Sequence, residues 1–195
     1  MISSLAGRIV HFLKKNGEIK EENEKLLIYG LTQGFRMCLN MVTTLLIGAL
    51  MGMWWQGFLF LAAFIPIRSF AGGYHAKTPL RCYWYSVAIV AVSLEAVRHA
   101  AVQFVDAAAL CSVLAIFFLA PVESEKKYLS DAEKNSLRKK ARLALYAGLA
   151  CMAAFSMSGL SEASRCIKMA IAVAGLLVMT GGWKNSHGKH SSMRG

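Results

Sequence analysis

The segment from residue 68 to residue 82 holds the side chains with the clearest capacity for chemistry. It contains His75, a Gly-Gly pair, one of only three prolines in the chain, and Cys82. A cysteine and a histidine together can act as the nucleophile and the base of a thiol protease, because the imidazole can take the thiol proton. The segment lies between two apolar runs, and such a cluster is a reasonable place to look for an active site.

The spacing of the two residues decides whether they can react together. Seven residues of continuous helix would separate His75 from Cys82 by about 10 Å, at 1.5 Å per residue, which is too far for a hydrogen bond. Pro79 disfavours helix at the residue before it. Gly72 and Gly73 permit a positive φ or a close backbone approach. We therefore predict a broken segment that brings the imidazole within reach of the sulfur.

Neighbouring charges favour the same chemistry. Arg68 and Arg81 would stabilise a Cys82 thiolate, although Arg68 has the alternative of reaching lipid phosphates from the end of an apolar run. Other membrane proteases need parts that this sequence lacks. It has no His-Glu-x-x-His pattern for zinc, and Asp106 is the only aspartate at membrane depth, where an aspartyl protease needs two carboxylates. We predict no metal and no cofactor.

The elements that must hold this segment are apolar. The chain of 195 residues is 56% hydrophobic and only 17% charged, which is unlike a soluble protein. Its apolar residues form six runs: Met37 to Trp55, Gly57 to Ile67, Tyr83 to Val97, Ala100 to Val122, Leu143 to Leu160 and Ile167 to Trp183. A helix of roughly 20 residues crosses a membrane. We predict an all-α, polytopic membrane protein with about six transmembrane helices.

The distribution of basic residues predicts the orientation of these helices. Of the 22 Lys and Arg, six precede the first run, three lie in 68–81, seven lie in 126–142 and three follow Trp183. These segments are alternate connections of a six-span chain, and basic residues mark the cytoplasmic side. Both termini are therefore predicted to be cytoplasmic. The same distribution indicates that the net charge of +11 attracts anionic membrane lipids rather than nucleic acid.

Three regions follow from these patterns. Residues 1–35 are predicted to form two amphipathic helices, Ile2 to Leu13 and Ile19 to Leu31, which either lie at the membrane interface or pack as a cytoplasmic hairpin. Residues 36–183 form the transmembrane domain, with the catalytic segment 68–82 and a basic loop, 123–142, whose second half is helical. Residues 184–195 form a disordered cytoplasmic tail. The remaining cysteines are predicted to be packing residues without disulfides: Cys38, Cys111, Cys151 and Cys166.

These residues resemble the AgrB (accessory gene regulator B) family. The likeness rests on the pattern Arg-x3-Gly-Gly-x-His-x6-Cys, which runs from Arg68 to Cys82. It is strengthened by Ala120-Pro121-Val122-Glu123 followed by Lys126-Lys127-Tyr128-Leu129, and by Glu24-Lys25-Leu26 and Tyr29-Gly30-Leu31 near the N-terminus. The resemblance extends from about residue 18 to the last apolar run.

The resemblance implies a cysteine endopeptidase in the cell membrane of a Gram-positive bacterium. It implies a short amphipathic, AgrD-like propeptide as substrate, a cyclic autoinducing peptide for quorum sensing as product, and a homodimer. Cys82 would be the nucleophile and His75 the base, with Arg68, Gly72 and Gly73 as supporting residues. The candidates for substrate binding are Arg81, Lys126 and Lys127. Gln33 and Asn40 are possible orienting groups, and the sequence does not choose between them.

A different class of function stays open at this point. A small transporter or lipid-binding membrane protein could use the Gly-Gly-Tyr-His segment only to line a cavity, with Arg68 and Arg81 on lipid phosphates. A transporter would leave a propeptide uncut, so cleavage of the propeptide separates the two functions.

Overall fold

A computed structural model describes residues 2–15, 24–72, 79–122 and 131–192, with residues 2, 3, 15, 79 and 184–192 described by their backbone alone. These residues form seven helices: α1 (Ile2–Lys15), α2 (Glu24–Leu50), α3 (Trp54–Ala71), α4 (Pro79–His99), α5 (Val102–Leu119), α6 (Asp131–Met157) and α7 (Ser161–Ser192). Three segments are long and apolar enough to cross a membrane: Leu80–His99, Val102–Leu119 and Ser161–Trp183. The prediction of an all-α membrane protein is confirmed.

The chain divides into two compact units, residues 1–43 and 44–195. In the first unit, Ala6 and Val10 of α1 are fully buried, whereas Leu5 and Phe12 are exposed. Lys14 at the end of α1 forms a 3.0 Å ion pair with Glu24 at the start of α2. The predicted helix over Ile2 to Leu13 is thus confirmed. Whether α1 lies at the membrane interface or in a cytoplasmic hairpin stays a prediction.

The predicted end of a polar helix at Leu31 is wrong. Helix α2 continues without a break from Glu24 to Leu50, so the polar segment and the first apolar run are one helix. Between Leu31 and Met37 the weakest helix former is Gly34, and an isolated glycine lowers helix stability by roughly 1 kcal/mol without ending the helix.

The second unit is built around α7. Its buried residues belong to two apolar clusters, one shared with α3, α4 and α5 and the other with α3, α5 and α6. Helices α5 and α7 cross very closely. A Cβ placed on Gly175 of α7 would overlap the side chain of Ser112 of α5. The Ser112 hydroxyl donates a 2.9 Å hydrogen bond to the Ala172 carbonyl. Small residues with a hydroxyl at the crossing are typical of helix packing in membranes.

Basic side chains bind backbone carbonyl groups at the ends of neighbouring helices. Arg98 donates to the Met51 carbonyl just after α2 at 2.9 Å, and Arg165 donates to the Ala100 carbonyl just after α4 at 2.5 Å. Unpaired carbonyl groups at the C-terminal end of a helix attract cations. Lys168 pairs with Asp106 of α5 at 2.7 Å.

This arrangement gives structural roles to three basic residues that do not follow the predicted cytoplasmic pattern. Arg98, Arg165 and Lys168 are all bound to groups of the protein itself. Their position is therefore explained by local helix contacts and does not weaken the orientation inferred from the other basic residues.

Two further predictions differ from the structure. Helix α7 continues to Ser192, so residues 184–192 of the segment expected to be disordered have a helical backbone, and no proline interrupts it. Only Cys166 is a core residue, whereas Cys38, Cys111 and Cys151 are exposed, because each of the three lies on an outward-facing side of its helix. The predicted helical second half of the basic loop is confirmed, since α6 begins at Asp131.

Candidate functional site

The helix is interrupted at Gly72, one of the two glycines on which the predicted broken segment rested. Helix α3 ends at Ala71, and Gly72 adopts φ 70° and ψ −147°. Helix α4 begins at Pro79, at the first helical position, where a missing N–H removes no intrahelical bond. A continuous helix from Ala71 to Cys82 is thereby ruled out. Gly73 and His75 lie outside the described residues. The predicted approach of the His75 imidazole to the Cys82 sulfur therefore stays a prediction.

Gly72 is held against a segment that is distant in sequence. It forms a parallel β-bridge with Val122, the third residue after α5, and the Val122 N–H donates to the Ala71 carbonyl at 2.9 Å. A Cβ on Gly72 would overlap the Val122 carbonyl oxygen. Glycine is therefore required here for two reasons, since L-residues also rarely adopt a positive φ. The sequence analysis anticipated the backbone freedom of Gly72 but not its partner.

Arg68 is directed toward Gly72, the residue that follows α3. From the last turn of α3 its guanidinium donates a short hydrogen bond to the Gly72 carbonyl, and the contact is partly buried. It also interacts electrostatically with Cys82. This geometry favours a supporting role for Arg68 over the alternative of reaching lipid phosphates, because the side chain already binds the backbone of the segment.

Cys82 lies in the first turn of α4 and is half-buried. The first turn of a helix carries positive electrostatic potential from its unpaired N–H groups, and this potential favours a negative charge. The neighbouring Arg81 is exposed. A thiol in this position is partly accessible and has two nearby sources of positive potential, the helix end and Arg68.

The sequence analysis missed one basic residue near this site. Arg142 of α6 donates to the Phe117 carbonyl in the last turn of α5 at 3.3 Å, and its guanidinium carbon lies 4.2 Å from the centre of the Phe117 ring. In the sequence it is the last of seven basic residues of the loop and looked like part of a solvated face. Its place directly before the apolar run that starts at Leu143 was the available signal.

The other predicted residues fall into two groups. Lys126 and Lys127 lie outside the described residues. Gln33 is exposed and Asn40 is half-buried, and both belong to the first unit. In the described part of the chain, no three His, Cys, Asp or Glu side chains are grouped so that they could hold a metal ion.

Comparison with known proteins identifies the family of this chain. The family model for accessory gene regulator B, AgrB, matches residues 6–180, a range that includes the whole segment from Arg68 to Cys82. No curated protein and no solved structure matches the chain. AgrB proteins are a protease-like family that takes part in the processing of autoinducing peptides. Because this match covers 175 of the 195 residues, the chain belongs to the AgrB family.

Proposed function

We propose that this protein is a membrane cysteine endopeptidase that cleaves a short propeptide through a thioester on Cys82 and promotes its cyclisation to a thiolactone or lactone autoinducing peptide. The observation that carries the proposal is the placement of Cys82 in the first turn of α4, in electrostatic contact with an Arg68 that binds Gly72.

The chemistry proceeds in two transfers. His75 takes the proton from the Cys82 thiol, and the thiolate attacks a propeptide carbonyl carbon. The peptide C–N bond breaks, the imidazolium protonates the leaving amine, and the C-terminal fragment departs. A cysteine thiol or serine hydroxyl of the retained fragment then attacks the thioester. A ring forms, and Cys82 recovers its proton.

The energetics need no nucleotide. Ring closure to a thiolactone exchanges one thioester for another, at little cost. Formation of a thioester from an amide is uphill, so removal of the released fragment must draw the reaction forward, and exclusion of water must protect the acyl enzyme from hydrolysis. Arg68 and the N-terminal end of α4 favour the negative charge of the thiolate. The substrate is an amphipathic, AgrD-like propeptide, and its acidic groups would be attracted by Arg81, Lys126 and Lys127.

Trapping of the acyl enzyme tests this function. Protein in liposomes is mixed with a cognate propeptide whose ring-forming cysteine or serine is replaced by alanine, so that the second transfer is blocked. We expect acid-quenched samples to carry the N-terminal propeptide fragment on the peptide that contains Cys82, and neutral hydroxylamine to remove it. Release of the C-terminal fragment without any such adduct on the wild-type protein would contradict the thioester mechanism.

We propose further that the chain is a multi-pass protein of the cell membrane with six spans and both termini in the cytoplasm, and that it forms homodimers. The support for the orientation is the clustering of basic residues in alternate connections, which favours the cytoplasmic side. In a variant that carries Ser191→Cys and no other accessible cysteine, an impermeant thiol reagent should label Cys at 191 only after the cells are opened. Labelling in intact cells would overturn this orientation.

A further inference from the structure

Arg142 is a charged residue that the proposed chemistry does not use, although its environment is unusual. It is half-buried, it lies over the Phe117 ring, and its Nε atom is buried without a hydrogen-bond partner in the part of the chain that the structure describes. Burial of a charged group is costly unless it is paired. An arginine kept in this place needs a role beyond attraction of lipid phosphates.

The contact of Arg142 with Phe117 leads directly to the catalytic segment. Phe117 is in the last turn of α5, and the Ala120 N–H closes that turn on the Ile116 carbonyl at 3.1 Å. Only Ala120 and Pro121 then separate α5 from Val122, and both are buried. Val122 donates to Ala71 and forms the bridge with Gly72. A short, packed segment therefore connects the end of α5 to the residue at which the catalytic segment leaves α3.

We propose that Arg142 is a positioning residue of the peptide-cleaving site. By holding the last turn of α5 it sets the place of Val122, and Val122 holds Ala71 and Gly72, the last described residues before the catalytic segment continues. The inference rests on the proposed function, since it concerns the same reaction. A shift of about 1 Å in a reacting group can lower a rate by about 100-fold without a change in the groups that bind the substrate.

The chain offers a matched control in Arg165. It is half-buried as well, it donates to the Ala100 carbonyl after the end of α4, and its Nε is also buried without a partner among the described residues. Cys82 lies at the opposite end of α4. Loss of Arg165 therefore removes an equivalent helix-end contact that does not lead to Gly72.

The experiment compares Arg142→Gln with Arg165→Gln in liposomes, with single-turnover release of the C-terminal fragment and thermal unfolding as readouts. We expect Arg142→Gln to lower the maximal rate by about 10-fold to 100-fold with the half-saturating propeptide concentration changed by less than about threefold. Arg165→Gln should leave the maximal rate within about threefold at a similar loss of Tm. Arg142→Lys should recover part of the rate, because an ammonium can still donate to the Phe117 carbonyl.

Two outcomes overturn the inference: an unchanged rate in Arg142→Gln, or equal losses of rate in the two glutamine variants. Arg142→Met keeps an apolar side chain but removes the donor to the Phe117 carbonyl, and it provides a second variant if Arg142→Gln does not fold; a rate equal to wild type would again overturn the inference. Cys82→Ala is measured in parallel as the baseline. Cleavage that persists in Cys82→Ala refutes the proposed function itself, and so distinguishes that failure from a failure of Arg142 alone.

Discussion

Replacement of Cys82 by alanine is expected to abolish release of the C-terminal propeptide fragment. We expect the rate to fall at least about 1,000-fold, because removal of the nucleophile of a protease has effects of that size or larger. The alanine variant retains the backbone of α4, including the carbonyl that accepts the Ser86 hydroxyl, so it should insert and fold as the wild type does. Quantitative immunoblotting of membrane fractions, together with a fragment-release assay, measures both properties.

The other four cysteines supply the control. Cys38, Cys111 and Cys151 are exposed, and their replacement by alanine should have little effect on folding. Cys166 is fully buried, so Cys166→Ala should lower the free energy of unfolding by on the order of 1 kcal/mol, through loss of packing. A variant that lacks all four should still cleave the propeptide. Persistent cleavage by Cys82→Ala would instead refute Cys82 as the nucleophile, whereas a wild-type protein that leaves the propeptide uncut would support the transporter or lipid-binding class.

The sequence could predict the break in the catalytic segment because the signals are local. A proline restricts the residue before it, and two glycines permit backbone conformations that other residues avoid, so Gly72 and Pro79 mark the interruption wherever the segment lies in the fold. The apolar runs likewise correspond to helices α2 to α7. Where local signals are weak, as between Leu31 and Met37, the expected boundary was wrong.

The partners of the segment could not be predicted, because they depend on contacts between distant parts of the chain. Val122 carries no chemical signature, and its role comes from a backbone N–H that meets Ala71 some fifty residues earlier. Arg142 resembles its basic neighbours until its contact with Phe117 is known. Arg98 and Arg165 pose the same difficulty, since the carbonyl groups that they bind are at the ends of other helices.

These contacts share one feature: an arginine binds a backbone carbonyl group at the end of a helix. The ends of α2, α3, α4 and α5 each have a carbonyl group bound by an arginine, and carbonyl groups without partners are costly in a membrane-like environment. At three of these ends the arginine comes from another helix: Arg98 and Arg165 serve packing, and Arg142 is the proposed positioning residue. At the end of α3 it is Arg68, from the same helix, and its electrostatic contact with Cys82 connects the helix end to the proposed chemistry.

Gly72, at the end of α3, is the position in these contacts where a substitution is expected to lower the cleavage rate most. Gly72→Ala is expected to lower the rate of propeptide cleavage by at least about 100-fold, because displacement of the segment by an ångström or more has effects of that size. Two costs combine in this variant. Alanine at φ 70° costs roughly 1–2 kcal/mol, and the added Cβ overlaps the Val122 carbonyl oxygen, so the bridge that orients the segment must open.

Gly52→Ala separates these two costs. Gly52 has nearly the same φ, 69°, but a Cβ there meets nothing within 4 Å, and it lies in the turn between α2 and α3, at the end of α3 away from Cys82. We expect Gly52→Ala to lower Tm through the backbone cost alone while its cleavage rate stays within about threefold of wild type. Equal rates for Gly72→Ala and wild type would show that the Val122 bridge does not position the catalytic segment. If Gly52→Ala lost as much activity as Gly72→Ala, general destabilisation would explain both, whereas the contact with Val122 predicts that only Gly72→Ala loses its activity.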